Sequence, residues 1–323
     1  LRLHWREAGL PQGFQILDGE DQPRLVKKLI RGLNLDDTRW VPREVAWFIN
    51  AQKDEGLRPK HLKDDGDPTR RQLIKLYEAY EDACRRNGVV DFAELLLRCY
   101  EILREAPGLG EHYRARFRHV LVDEFQDTNT IQYNWMKALV GSTSVPYVVG
   151  DDDQSIYRWR GARVENLQQY RRDFHDVQLF RLEQNYRSTG NILDAANAII
   201  GNNSGRIGKK LWTDGGEGKG APLRLFRAYN ERDEAEFVIG KIREWIARGG
   251  KRADNAILYR SNAQSRVFEE YLLAARAEVT ERLVVELGAA FQQRIVYPST
   301  HPQVRRSIER AVAAFYAWCA ETG

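Results

Sequence analysis

What this sequence lacks narrows the field first. Its three cysteines, Cys84, Cys99 and Cys319, have neither close pairing nor accompanying histidines, which argues against a disulfide framework or a zinc site. They read as buried thiols. No run of about 18 or more apolar residues occurs, and no basic, apolar and small-residue succession opens the chain. Neither a membrane span nor a secretory leader is expected, and a cytoplasmic setting is the default. No segment has the form G-x-x-x-x-G-K-[ST], because Gly208-Lys209 is followed by Lys210, Gly218-Lys219 by Gly220, Gly240-Lys241 by Ile242 and Gly250-Lys251 by Arg252. Charge of one sign hardly dominates either: 50 Lys and Arg against 46 Asp and Glu leave +4, which permits a polyanionic partner without demanding one. No repeat of fixed period is evident.

What is present is an ordinary globular composition, 42% hydrophobic and 30% charged over 323 residues, enough for two or three compact units. The opening "LRLHWREAGL" reads like the middle of a helix, with something expected upstream. From about residue 15 to 105 only helix-period segments with charged faces occur. The clearest is "DFAELLLRCYEIL", where Asp91 and Glu94 form a capping-box pattern and Phe92, Leu95, Leu96, Cys99 and Leu103 recur at helical spacing. An all-helical unit is expected there. Near residue 118 the pattern changes to short apolar runs alternating with amphipathic helices: "HVLV" then "TIQYNWMKALV", "PYVV" then a loop, "VQLFRL" then "NILDAANAII". Further on, "PLRLFRA" precedes "ERDEAEFVIGKIREWIARGG", and "NAILYR" precedes "AQSRVFEEYLLAA". Such alternation predicts an α/β fold of parallel sheets covered by helices, with function at the carboxyl ends of the strands. The stretch "NNSGRIGKKLWTDGGEGKGAP" reads as an exposed connection.

Three stretches carry chemistry. In "LVDEFQDTNTIQYNW" an apolar run stops at Asp123 and Glu124, and Asp127 follows. Adjacent acids at a strand end repel unless a cation or proton is shared, which suggests magnesium on one carboxylate and a water oriented by the next. The bland alternative is an acidic turn with Asp127 or Thr128 capping the next helix. In "YVVGDDDQSIYRWRGA" a strand again meets acids, Asp151 to Asp153, and then Gln154, Tyr157, Trp159 and Arg160. Aromatics interleaved with arginines suit single-stranded nucleic acid, whose bases stack on rings while cations meet phosphates; the alternative is core packing plus a salt-bridged loop. In "RLEQNYRST", Tyr186 can lie against a purine ring and Arg187 can supply charge to a phosphoryl group. The alternative there is a helix entrance capped by Ser188 or Thr189, with Arg187 in a structural ion pair.

In this order, "VDEFQDTN", "VGDDDQSIYRWRGA" and "LEQNYRST" resemble the second, third and fourth motifs of superfamily 1 DNA helicases of the UvrD/Rep/PcrA type. The resemblance extends through "GFQILDGEDQ", "INAQKDEGLRP" and "VDFAELLLR" upstream and "GKKLWTDGGEG" and "AILYRSNAQSRVFEE" downstream, over roughly residues 1 to 274. It implies RecA-like, P-loop-type motor domains with a helical insertion. Residues 1–105 would be the insertion, 106–180 the second part of the first motor domain, 181–275 the start of the second, and 276–323 a helical tail of unknown origin. It further implies ATP and Mg2+ as cofactors, with Asp123 on the metal, Glu124 activating water, Gln154 sensing the γ-phosphate, Arg187 contacting it and Tyr186 on adenine. Tyr157, Trp159 and Arg160 would face DNA, as would Arg260 and Asn262. The implied activity is ATP-dependent 3′ to 5′ DNA unwinding in repair, on single-stranded and duplex DNA, with repair proteins as partners and no membrane. The family's first motif would lie upstream of Leu1, so an incomplete motor is expected. The rival reading is a non-catalytic DNA-binding or protein-interaction module derived from that fold. A metal nuclease is disfavoured because no lysine-bearing cluster accompanies the acids.

Overall fold

A computed structural model describes residues 1–141, 144–214, 218–259 and 261–275. The chain divides into two compact units. One holds Leu1–Arg181 together with Asn203–Gly208, and the other holds Leu182–Asn202 and the described residues from Lys209 on.

The first unit begins with hydrogen-bonded turns over residues 3–9 where the sequence suggested mid-helix; Gly9, at φ 62°, turns the chain. Then follow β1 (Gln15–Ile16), α1 (Asp21–Gly32), α2 (Pro42–Asp54), α3 (Pro68–Asn87), β2 (Val89–Val90) and α4 (Phe92–Glu105). The expectation of an all-helical segment is corrected by β1 and β2, which pair in parallel, Gln15 with Val89 and Ile16 with Val90. Two-residue strands are too short to show an alternating pattern. Helix α3 starts where the Asp67 side chain accepts the Thr69 N–H and ends at Gly88 in the left-handed region, φ 62°. Val26, Ile30, Val45, Ile49, Leu76, Tyr77 and Tyr80 close the core of α1, α2 and α3.

Helix α4 carries the main departure from its sequence pattern. Asp91 does cap it, accepting the Glu94 N–H at 2.7 Å. The Glu94 side chain does not return to the cap. It turns inward, where Lys53 Nζ lies 3.0 Å away and the Arg58 guanidinium grips both its oxygens at 2.8 and 2.9 Å. The buried face of α4 is therefore Glu94, Leu97, Ile102 and Leu103, while Phe92 is exposed. Lys53, only 2% exposed, also donates to Asp91 at 2.7 Å, and Tyr80 Oη donates to the same carboxylate oxygen at 2.8 Å. Arg58 reaches Glu81 and Glu101, each at 2.6 Å, and Arg98 reaches Glu94 at 2.6 Å. Burial alone would push the Glu94 carboxyl up, but Lys53 and Arg58 hold it well below the usual carboxylate range.

The unit continues through α5 (Pro107–Arg116), β3 (His119–Val122), α6 (Thr130–Val140), β4 (Val145–Val148) and α7 (Asn166–Asp173). β3 and β4 are parallel, from His119 opposite Val145 to Val122 opposite Val148. Phe125, Tyr133, Met136, Val140 and Tyr170 form the core beneath them. Asn129, rather than Asp127 or Thr128, caps α6, in a reciprocal box with Gln132.

In the second unit, α8 (Gly190–Ile200), α9 (Glu231–Ala247) and α10 (Ser265–Ala274) form where amphipathic helices were expected. Ala235, Ile239, Ile242, Ile257, Phe268 and Leu272 pack together. Thr189 precedes α8 without a side-chain cap bond. The strands expected at 222–228 and 255–260, and the one expected at 177–182 at the end of the first unit, are corrected: among the described residues they form no ladder, and only Gln184 and Trp212 bridge. A parallel strand is held by hydrogen bonds to neighbours and by helices on its faces; Leu225, 99% exposed, has neither. Cys84 is buried and Cys99 partly so, while Cys319 and the expected tail 276–323 lie outside the described residues.

At the end of α2, burial pushes the Asp54 carboxyl up to about 6, opposed by a hydrogen bond from Asn129 and assisted by Glu55 and Asp91. The folded state then holds a proton that the unfolded chain releases near pH ~4. Stability attributable to Asp54 falls as pH rises from about 4 to 6 and stays lowered above. Asp54→Asn should raise stability at pH 7.5 by about 1–3 kcal/mol and leave it unchanged at pH 4. Thermal melts of both proteins across this range check the window; a pH-independent effect contradicts it.

Candidate nucleotide and nucleic-acid site

Beyond β3 the ladder continues irregularly: Val149 N donates to Val122 O at 2.8 Å and Phe125 N to Val149 O at 2.9 Å. Phe125 is fully buried, edge-on to Tyr133 and Tyr170 at 6.0 and 5.7 Å between ring centroids. Anchoring that ring constrains the residue before it. Glu124 lies in the left-handed region, φ 50° and ψ 43°, with its N–H donated to Asp123 Oδ1 at 2.9 Å. A non-glycine residue there costs roughly 1–2 kcal/mol and persists where packing over-determines it. The result is an exposed Glu124 carboxylate aimed by the backbone.

Gln126, 1% exposed, ties this turn to the next strand end. Its Nε2 donates to Glu124 Oε2 and its Oε1 accepts the Asp151 N–H, both at 2.8 Å. Asp151 in turn accepts Asp153 N at 3.0 Å and Gln154 Nε2 at 2.6 Å, shaping the 3-10 turn Asp152–Gln154. A continuous hydrogen-bonded path thus runs from Glu124 to Gln154. Nothing in the sequence pattern marked Gln126; its one signal was an amide placed between two strand-end acid groups.

Asp123 and Glu124 are both exposed, and Asp127 Oδ1 is buried with no hydrogen-bond partner. Burial raises the Asp127 carboxyl and the neighbouring Glu124 adds to it. Among the described residues these three carboxylates do not converge as a ligand cluster, so Asp123 and Glu124 offer exposed single carboxylates of the kind a divalent cation that keeps most of its waters needs only one or two of. Asp151, Asp152 and Asp153 bring ligand atoms within 4.8 Å of one another. Their cluster is already engaged, because Arg206 grips both oxygens of Asp153 at 2.7 and 2.5 Å and Ile207 N donates to Asp152 at 2.7 Å. Residues 203–208, expected as a free connection, are therefore packed in the first unit.

Tyr157 precedes the 3-10 turn Arg158–Arg160, which ends at Gly161 with φ 86°. Trp159 is 70% exposed, and the Arg160 guanidinium sits 4.7 Å from its ring centre and 5.3 Å from that of Tyr157. An exposed indole with a cation beside it offers a stacking face and a phosphate contact together.

In the second unit, Asn185 Oδ1 accepts the N–H groups of Arg187 and Ser188 at 2.9 and 2.8 Å, an Asx turn that presents Tyr186 and Arg187 outward. Tyr186 Oη donates to Gln184 Oε1 at 2.6 Å. Asn262 is exposed at the start of the 3-10 turn Asn262–Gln264, and Arg260 lies outside the described residues.

Residues 1–175 match the UvrD/REP helicase N-terminal domain, and residues 180–293 match the UvrD-like helicase C-terminal domain. The chain belongs to the UvrD/Rep helicase family. It is 58% identical to DNA helicase II of Escherichia coli over 275 residues, covering 85% of this chain and 38% of that protein. DNA helicase II of Haemophilus influenzae is 53% identical over 283 residues, 88% of this chain and 38% of its own. The ATP-dependent DNA helicase PcrA of Leuconostoc citreum is 39% identical over 279 residues, 85% of this chain and 37% of its own. The chain thus spans a little over a third of the length of these relatives. Its α/β fold is the RecA-like fold of UvrD-type helicases, which are ATP-dependent.

Gly150 keeps the path between the strand ends open. A methyl group there would stand 2.8 Å from Gln126 Oε1 and 3.3 Å from the Phe125 Cβ. Gly150→Ala should therefore cost about 1–3 kcal/mol, and the cost should shrink when Gln126→Ala removes the colliding amide. Urea midpoints of the two single variants and the double variant test this; additive losses contradict it.

Proposed function

We propose that this chain carries the nucleotide-facing and single-strand-facing parts of an ATP-dependent, 3′ to 5′ DNA-unwinding motor that acts in repair. The hydrogen-bonded path from Glu124 through Gln126 to Asp151 and Gln154 carries this reading, because it ties a water-orienting acid to the turn that leads into Tyr157–Arg160. Residues 1–105 serve as the helical insertion, 106–180 as the second part of one motor domain and 181–275 as the start of the next.

Within this reading Asp123 would hold magnesium, which neutralises phosphate charge when bound. Glu124 accepts the proton of the attacking water, Gln154 reads the γ-phosphate, Arg187 contacts it and Tyr186 stacks on the adenine. Tyr157, Trp159 and Arg160 take successive bases and phosphates of a single strand, and Arg260 and Asn262 are further DNA contacts. Single-stranded and duplex DNA are the substrates, and repair proteins the partners. Among the described residues no helix is long and apolar enough to cross a membrane.

One sequence feature bears on turnover by this polypeptide taken alone: none of its Gly-Lys pairs is followed by Ser or Thr. Phosphoryl transfer depends mainly on holding and neutralising the phosphates. Without a cradle, Asp123 and Glu124 can place an ion and a water but not the γ-phosphate. This polypeptide alone should accordingly hydrolyse ATP negligibly, with or without oligonucleotide. The assay is magnesium-dependent turnover beside Glu124→Gln; robust DNA-stimulated hydrolysis abolished by that substitution would mean that another segment holds the phosphates.

A further inference from the structure

We propose that Glu55 is a positioning residue that fixes the single-strand loop to the strand-end turn; this rests on the reading of Tyr157–Arg160 as the DNA-facing loop. Glu55 follows the last residue of α2, where a carboxylate meets the negative end of the helix dipole and is disfavoured. Its partners offset that cost. Arg163 Nη2 donates to Oε1 at 2.7 Å, and Thr130 Oγ1, in the first turn of α6, donates to Oε2 at 3.0 Å. The carboxylate therefore lies at the positive end of α6, immediately after the turn that bears Asp123 and Glu124.

Arg163 is bound on its other side as well. Its N–H donates to Thr128 O at 2.9 Å, and Asn166 Nδ2 donates to the same carbonyl at 3.0 Å. Between Trp159 and Arg163 stand only Arg160, Gly161 and the buried Ala162, whose N–H donates to Tyr157 O at 3.2 Å. The path from the exposed indole to Glu55 is short: four residues of backbone, turned by the Ala162–Tyr157 bond, and then the Arg163–Glu55 ion pair. Behind Glu55, Lys53 is locked into the buried ion cluster, so the carboxylate is presented from a fixed helix end. Partners 75 and 108 residues away in sequence meet at one carboxylate.

The test measures oligonucleotide affinity per folded molecule, at fixed low salt, for the full chain and its Glu55→Arg, Arg163→Glu, double-swap and Trp159→Ala variants. Exposed ion pairs contribute about 0.2–1 kcal/mol, about 1.4- to 5-fold in affinity. Arg163→Glu should weaken binding by more than this and Glu55→Arg by less, because at low salt the first removes and the second adds two positive charges beside the strand. The double swap restores the pair at unchanged net charge and should recover most of the affinity. Glu55→Gln keeps the Thr130 contact without the charge, and should give an intermediate loss if the stronger variants fold poorly. Melting temperatures follow in parallel. Lower stability with unchanged affinity, or a double swap as weak as the worse single variant, would overturn the assignment. Loss of affinity in Trp159→Ala alone would leave the loop reading standing and sink the role of Glu55. Unchanged affinity in Trp159→Ala would overturn both.

Discussion

The carboxylate of Glu94, buried between Lys53, Arg58 and Arg98, is the constraint around which the first unit is organised. An ion taken out of water costs several kcal/mol unless its charge and lone pairs are met. Glu94 is met by Lys53 from α2, Arg58 from the turn after it and Arg98 one turn further along α4, while Lys53 also donates to Asp91 at the head of α4, which accepts from Tyr80 of α3 as well. The cluster tolerates one relative arrangement of those helices, since displacing any of them leaves a buried charge unpaired. Apolar packing of α1, α2 and α3 around Ile30, Ile49 and Tyr77 is less particular about register.

That fixed arrangement reaches the candidate site through α2 and α4, both packed against α6. Asp54 and Glu55 continue directly from Lys53, and Asn129 and Thr130 receive them at the head of α6. The turn between β3 and α6 is thus held from two sides, by the buried ring of Phe125 and by the helix end opposite. Such over-determination is what permits the left-handed Glu124. A rigid scaffold that stores strain at a carboxylate is the physical content of calling this turn a site.

Helices were the legible part of the sequence. The pattern "TIQYNWMKALV" became α6 residue for residue, and Asp91 was readable as a cap, because both signals are local. The inner face of α4 was not readable, since a charged Glu94 sorts with solvent by any hydropathy rule and is admitted to the core only by cations from elsewhere. The strand-end acids stood out as a pattern, whereas the amide of Gln126 did not, its burial being decided by Gly150 opposite. In the second unit, apolar runs such as "PLRLFRA" carry strand composition, but a ladder belongs to pairs of segments, and composition does not supply the partner. Residues 203–208 illustrate the converse: a polar, glycine-containing stretch reads as solvated until Arg206 meets Asp153.

If the Glu94 cluster governs the candidate site, Glu94→Gln should loosen regions beyond its own helices. Hydrogen–deuterium exchange on the intact chain measures this directly. Lost protection is expected in α2 and α4 together with residues 123–129 and 157–166, at a temperature where the variant remains folded. Lost protection confined to α2 and α4, with the turn after β3 and the Trp159 loop exchanging as in the unaltered chain, would contradict it.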